Sequence, residues 1–146
     1  MDWIQLHLAL NHVPVIGFPI LVLLLVVGWW RKSNDIIRVA LWAMALLAVA
    51  AIAIKFTGDF ALEQSPEQFT AVQDFVSRHE QAGDQVTTAV FFLGIAATLA
   101  LFLARRGKSI RAWTLALVLF LGIVTVLLYV RSAHSGGQIS HPELRD

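Results

Sequence analysis

The stretch that decides the fold is LALNHVPVIGFPILVLLLVVGWW, residues 8–30. No charged residue interrupts it between Leu8 and Trp30. A bilayer core about 30 Å thick needs about 20 apolar residues in helical form to cross it. This stretch is therefore predicted to be a transmembrane helix, the first of the chain.

Three further segments of the 146-residue chain support the same interpretation. They cover about residues 36–54, 86–104 and 112–130. Each is uniformly apolar rather than alternating, which favours helices over the strands of a membrane barrel. Hydrophobic residues make up 58% of the chain and charged residues 14%, which is too apolar for a soluble domain of this size. We predict an all-α membrane protein, a single up-down four-helix bundle spanning residues 1–146.

Basic residues predict the orientation of the bundle. They cluster in the two short connections that follow spans one and three: Arg31, Lys32 and Arg38, then Arg105, Arg106, Lys108 and Arg111. The positive-inside rule places these connections in the cytoplasm. Both termini and the 55–85 connection should then face the periplasm of a bacterial inner membrane. The N-terminal MDWIQLHLAL has no basic residue, so no cleaved signal peptide is expected.

The connection between spans two and three carries a helix signal. Ser65-Pro66-Glu67 combines an N-cap residue, a proline for the first helical position and an acid for the first turn. Four residues after it share one helical face: Phe69, Val72, Val76 and His79. We predict a short amphipathic helix that either lies over the outer end of the bundle or runs into span three.

All five histidines are predicted to lie at the periplasmic end of the bundle. They begin span one, precede span three or follow span four: His7, His12, His79, His134 and His141. Ionisable groups at membrane depth are candidates for function. A solvated interfacial histidine is the plainer interpretation of any one of them, and more so of His134.

The spacing of His7 and His12 leaves their relation open. Five residues along a helix is about 140° of rotation, so the two side chains do not share a face. Either residues 7–12 are irregular and the helix begins near Pro14, or each histidine serves a different site.

Composition excludes several chemistries. The chain has no cysteine, which rules out disulfides, thiolate metal sites, iron–sulfur clusters and covalently attached haem. The net charge of +1 gives no argument for nucleic acid as a partner. No nucleophile elbow, phosphate loop or zinc-protease motif occurs. The sequence therefore carries no signature of a stand-alone enzyme.

Short motifs in a fixed order resemble a known family. LHLALNHVP (6–14) begins span one, TGDFALE (57–63) follows span two, RHE (78–80) precedes span three and SGGQISHPEL (135–144) closes span four. Together they resemble the uncharacterised bacterial four-helix membrane family called domain of unknown function 2231, over most of the chain. The resemblance implies haem binding and electron transfer, with a separate redox partner of Rieske or cytochrome c type. By position it carries over His7, His12, His79 and His141 and leaves out His134.

The main hypothesis is therefore a small membrane b-type cytochrome that moves electrons between quinol and a periplasmic acceptor. Haem b would be held by His7, His12, His79 and His141. Cations in the same zone would meet its propionates: Lys55, Arg78 and Arg131. Gly136 and Gly137 either let the backbone approach a ligand or form a plain turn.

Two alternatives remain open. The same four histidines, with Glu80 or Glu143, would also suit a non-haem Fe, Cu or Zn ion. In the second alternative the histidines and carboxylates form only a polar cap on an accessory subunit of a respiratory complex. Separately from these alternatives, Glu80 and Asp84 are either a proton relay or a solvated face. The sequence is compatible with a monomer or a homodimer in membrane lipid.

Overall fold

The computed structural model describes residues 2–64, 66–104 and 109–145, and four long helices dominate it. They are α1 (Trp3–Trp30), α2 (Asn34–Gln64), α3 (Gln73–Leu103) and α4 (Ala112–Ser140). Short 3-10 turns cover Pro66–Val72 and Pro142–Leu144, and the described residues form no strand. All four helices are long and apolar enough to cross a membrane, which confirms the predicted all-α four-span fold.

The helices are longer than the spans predicted inside them. Lengths of 28 to 31 residues correspond to about 42–46 Å at 1.5 Å per residue, against about 30 Å of hydrocarbon. Helix α1 already begins at Trp3, where the Asp2 carboxylate caps it by accepting the Ile4 N–H at 3.2 Å. The alternative of an irregular segment before Pro14 is therefore wrong, because residues 7–12 are regular helix.

Consecutive helices pack as antiparallel neighbours, and α4 closes the bundle against α1. The turn from α1 to α2 is tight, with Lys32 in the left-handed region at φ 51° and the Ser33 N–H donating to the Gly28 carbonyl at 3.0 Å. Large apolar side chains fill the interior, among them Phe18, Leu41 and Leu93, each at 0% exposure. Others cover the outside, where lipid replaces water as the solvent.

The predicted amphipathic helix is part of the third spanning helix. Ser65 lies outside the described residues, so its predicted capping role is not described. From Pro66 the chain makes a 3-10 turn to Val72 and continues directly as α3 into the span. Of the two predicted alternatives, the structure therefore has the helix that runs into span three. The predicted stripe turns inward: Val76 is buried, and Phe69, Val72 and His79 are half-buried.

The two ends of the bundle differ in composition. We call one the histidine end. It comprises the start of α1 with Asp2, the end of α2, the Pro66–Val72 turn, the start of α3, and the end of α4 with its C-terminal turn, and it carries all five histidines. The opposite, basic end carries four described cations: Arg31, Lys32, Arg38 and Arg111. Arg105, Arg106 and Lys108 lie outside the described residues.

Gly28 allows the close approach of α1 and α2 near their turn. A Cβ there would lie 3.0 Å from side-chain atoms of Ile36 and Ile37 and 3.1 Å from the Ile37 backbone nitrogen. Gly28→Ala should therefore lower the free energy of unfolding by about 1–2 kcal/mol, because backbone cannot move aside cheaply. Thermal unfolding followed by circular dichroism in detergent measures the effect.

Gly83→Ala is the matched control, since a Cβ there meets only the Lys55 side chain at ordinary contact distance, 3.8 Å. It should be neutral or stabilising, because alanine is the better helix former. Equal losses of stability in the two variants would contradict this account of the turn.

Candidate functional site

A cavity of about 410 Å³ opens at the histidine end, and all four helices contribute to its mostly apolar wall. Four of the five histidines line it: His7, His12, His79 and His141. The deepest α4 residue in the wall is Tyr129, which stacks on the fully buried Phe18 with 5.6 Å between ring centroids. The cavity therefore has an aromatic floor and a rim that carries histidine.

His7 is held in place by α2. Its Nδ1 lies 3.3 Å from the Ile54 carbonyl oxygen and 3.1 Å from the Thr57 hydroxyl, which itself donates to that carbonyl at 2.6 Å. A carbonyl oxygen only accepts, so in the neutral ring Nδ1 carries the proton and Nε2 keeps a free lone pair. The ring packs on Gly58, where a Cβ would lie 2.9 Å from the His7 Cε1. Only glycine leaves this ring in its present place.

His79 is held in the same way by α4. Its Nδ1 lies 3.1 Å from the Ser132 carbonyl oxygen and 3.3 Å from the Ser135 hydroxyl, which donates to the same carbonyl at 2.9 Å. The ring packs on Gly136, where a Cβ would lie 3.0 Å from Cε1. His79 is also half-buried, and its Nε2 is likewise the nitrogen left for a ligand.

The two hairpins, α1–α2 and α3–α4, therefore repeat one arrangement. In each, a histidine on the first helix contacts a carbonyl, a hydroxyl three residues later and a glycine one residue after that on the second helix. His79 follows His7 by 72 positions, and Ser135-Gly136 follows Thr57-Gly58 by 78. The sequence interpretation missed this repeat. The signal that reveals it is a hydroxyl–glycine pair placed alike in the second helix of each hairpin.

His12 and His141 belong to the rim. His12 is exposed, and its Nδ1 donates within its own helix to the Leu8 carbonyl at 2.8 Å. His141 lies just beyond α4, where its Nδ1 is 3.1 Å from a Glu143 carboxylate oxygen. Hydrogen bonds from the Glu143 backbone N–H and from His141 lower the pKa of the Glu143 carboxyl group. His134 is exposed on α4 and does not line the cavity.

Of the three cations predicted for this zone, only Lys55 lines the cavity. Its ammonium group forms ion pairs with Asp59 on the same helix and with Asp84 on α3, the latter at 3.3 Å. Arg131 is exposed and donates to the Gln85 side chain at 3.0 Å. Arg78 lies over the Phe75 ring, 5.9 Å from its centroid.

The other residues predicted for the site also divide into those that line the cavity and those that do not. Glu80 lines the cavity from an exposed position, and Glu143 does not line it. Within the described ranges, no three histidine or carboxylate side chains come together as a metal-binding group. Gly136 and Gly137 lie inside α4 and line the cavity, so the interpretation of this pair as a turn is wrong; the helix ends only at Ser140.

Four spanning helices around a histidine-lined cavity define an integral-membrane helical bundle protein. The chain belongs to the family described as "Predicted membrane protein (DUF2231)", which it matches over residues 4–142. This confirms the family that the short motifs suggested. No curated protein and no solved structure matches the chain.

Lys55→Met tests the ion pairs beside the cavity. Removing the ammonium group leaves the Asp59 and Asp84 carboxylates without their shared cation, so the midpoint of thermal unfolding in detergent should fall by about 2–4 °C, the size expected for partly exposed ion pairs. Arg131→Met is the matched control, because that guanidinium is exposed and contacts a neutral amide. An unchanged midpoint for Lys55→Met would show that the ion pairs contribute nothing to stability.

Proposed function

We propose that the protein is a small integral-membrane b-type cytochrome that binds haem b non-covalently in the cavity at the histidine end. The observation that carries this proposal is the matched pair His7 and His79. They come from different hairpins, line one cavity, and both have Nδ1 hydrogen-bonded to a carbonyl. Histidine that ligates a metal through one ring nitrogen usually donates the other N–H to such a partner. The two side chains would hold the haem iron through the ring nitrogen that each has left, Nε2.

The cavity suits the cofactor in other respects. Its volume of about 410 Å³ and its apolar wall fit the usual range of cofactor sites, about 300–1,000 Å³. A chain without cysteine has to hold haem through such non-covalent contacts. Haem held there would supply one-electron redox chemistry. Lys55 would pair with a propionate in exchange for one of its carboxylate partners.

The rim histidines have a different role in this proposal. His12 and His141 are exposed, and neither ring packs on a glycine of a facing helix. We therefore assign them to the entrance of the cavity and not to the iron.

A non-haem Fe, Cu or Zn site is the second candidate, but it would need ligands to move together. The third candidate is an accessory subunit in which the histidines form only a structural cap. It does not explain why His7 and His79 are held by the same arrangement of carbonyl, hydroxyl and glycine.

Charge supports the orientation we propose. Among the described residues, every aspartate and glutamate except Asp35 lies at the histidine end. The positive-inside rule counts lysine and arginine, and seven of these eleven residues lie in or beside the connections that follow spans one and three in the sequence. The basic end should therefore face the cytoplasm, and the histidine end with both termini the periplasm of a bacterial inner membrane. A membrane quinol would supply the electrons, and a separate periplasmic protein of Rieske or cytochrome c type would accept them. The apolar outer faces suit lipid contact in a monomer or a homodimer.

An absorption spectrum of the protein, purified in detergent from haem-replete cells, tests the proposal directly. A Soret band with sharp α and β bands after reduction by dithionite is the expected result, because two histidine ligands give low-spin haem. A colourless protein would contradict the cytochrome, and metal analysis of the same sample would then decide on a non-haem ion.

Alanine variants test the ligand pair. His7→Ala and His79→Ala should each abolish the low-spin spectrum, and the double variant should lower haem content at least about tenfold, as expected for lost ligands. His134→Ala is the matched control and should keep the spectrum, since its side chain lies outside the cavity. Loss of the low-spin spectrum in His12→Ala or His141→Ala, but not in His7→Ala, would contradict the assignment.

The glycines under the two rings offer a finer test. Gly58→Ala and Gly136→Ala each place a methyl group within 3.0 Å of an imidazole carbon, so both should displace a ligand ring and speed haem loss to apomyoglobin by a similar factor of about 10. Gly137→Ala is the control, because a Cβ there meets only Leu144, at 3.4 Å. Equal rates in all three variants would argue against iron ligation by these rings.

A further inference from the structure

The repeat of the two hairpins makes two seams of the bundle comparable. The seam between α2 and α3 corresponds to the seam between α4 and α1. The offset of 78 positions between α2 and α4 matches Lys55 with Ala133 and Asp59 with Gly137. The offset of 72 positions between α1 and α3 matches His12 with Asp84. The same backbone arrangement therefore carries different side chains at its two seams.

The α2–α3 seam is closed by charge. The Lys55 ammonium group reaches across it to Asp84 while pairing with Asp59 on its own helix. The α4–α1 seam has no such link. In the described part of the chain, no ion pair or side-chain hydrogen bond joins α1 to α4. These two helices also have the least extensive contact of the adjacent helix pairs. The exposed residues of the cavity wall lie mostly here: Leu8, His12, Ala133, Ser140 and His141. The cavity therefore opens sideways between α4 and α1.

The length of α1 places the opening near the level where hydrocarbon gives way to headgroups. About 20 residues counted back from Trp30 span the bilayer core and reach Asn11. Asn11 and His12 both line the cavity at this level. His12 donates from Nδ1 to the Leu8 carbonyl, so in the neutral ring its Nε2 is an acceptor. The Asn11 amide has no hydrogen-bond partner among the described residues. The seam thus combines apolar walls with one acceptor and one amide.

We propose that this open seam binds the ring of a hydroquinone that enters from the bilayer, with Asn11 and His12 as its hydrogen-bond partners. A phenolic O–H is the donor that the His12 Nε2 lacks, and Leu8 and Ala133 supply apolar wall for the flat ring. The site rests on the proposed function for its use, as the place where a membrane reductant meets the cytochrome. Its occupancy is a separate property that binding alone can measure.

Other occupants fit the seam less well. An acyl chain would leave the Asn11 amide and the His12 Nε2 without partners. A lipid phosphate would need a cation, and the seam has Ala133 in the position of Lys55. The cation nearest along α4, Arg131, donates to Gln85 on α3 instead.

Photoaffinity labelling of the full chain in lipid nanodiscs tests the inference. The probe is a decyl hydroquinone that carries a diazirine on its ring, and untagged decyl hydroquinone is the competitor. We expect saturable labelling, mapped by mass spectrometry to α1 residues 8–15 and α4 residues 133–140. Asn11→Leu and His12→Phe should each weaken it about tenfold, which corresponds to about 1.4 kcal/mol. His134→Phe, outside the cavity, is the matched control and should label normally.

A second variant moves the closed seam's charges to the open one. His12→Asp combined with Ala133→Lys copies the Lys55–Asp84 pair and should abolish saturable labelling. If this variant does not fold, Asn11→Leu and His12→Phe still decide the question.

Labelling that is not saturable, or that maps to α2 and α3, would overturn the inference. So would labelling that oleic acid displaces and that Asn11→Leu and His12→Phe leave unchanged, because that pattern identifies an acyl-chain groove. The absorption spectrum of the same nanodiscs separates the two proposals. Colourless protein with saturable labelling of the seam overturns only the cytochrome, whereas low-spin haem without such labelling overturns only the hydroquinone site.

Discussion

Hydrocarbon offers no hydrogen-bond partner to the peptide backbone, and the architecture of this protein follows from that constraint. Each chain segment that crosses the membrane must satisfy its own N–H and C=O groups, which makes it a helix. The four helices exceed the bilayer core by roughly a third of their length. Ionisable groups are excluded from the core, so they gather on the helix ends. That surplus length is where the cavity and its histidines lie.

Within that zone, small residues decide which histidines face inward. Gly58 and Gly136 have no side chain, so an imidazole from the neighbouring helix can lie directly on the backbone. The preceding hydroxyl and carbonyl then bind its Nδ1, as Thr57 and Ile54 do for His7. One helix therefore supplies both the room for the ring and its hydrogen-bond partners. This explains why His7 and His79 are half-buried while His12 and His141 are exposed.

Hydropathy alone predicted the four spans, because apolar runs such as residues 8–30 have few alternatives in a chain this apolar. The placement of all five histidines at one end follows from the topology. The topology could not predict that His7 and His79 are half-buried whereas His12 and His141 are exposed. This difference depends on helix rotation and on partners such as Gly58, which lies 51 positions from His7 and meets it only in the folded bundle. The ion pair of Lys55 with Asp84 and the contact of Gly136 with His79 likewise form only in the folded bundle.

The repeat of the hairpins bears on the ancestry of the fold. Each hairpin holds one histidine together with the carbonyl, hydroxyl and glycine that orient it. A chain of half this length, paired with a copy of itself about a twofold axis along the membrane normal, would contain both half-sites. Its two seams would have to be identical. Joining the halves in one polypeptide removes that symmetry, so one seam can carry Lys55 and Asp84 while the other carries Ala133 and His12.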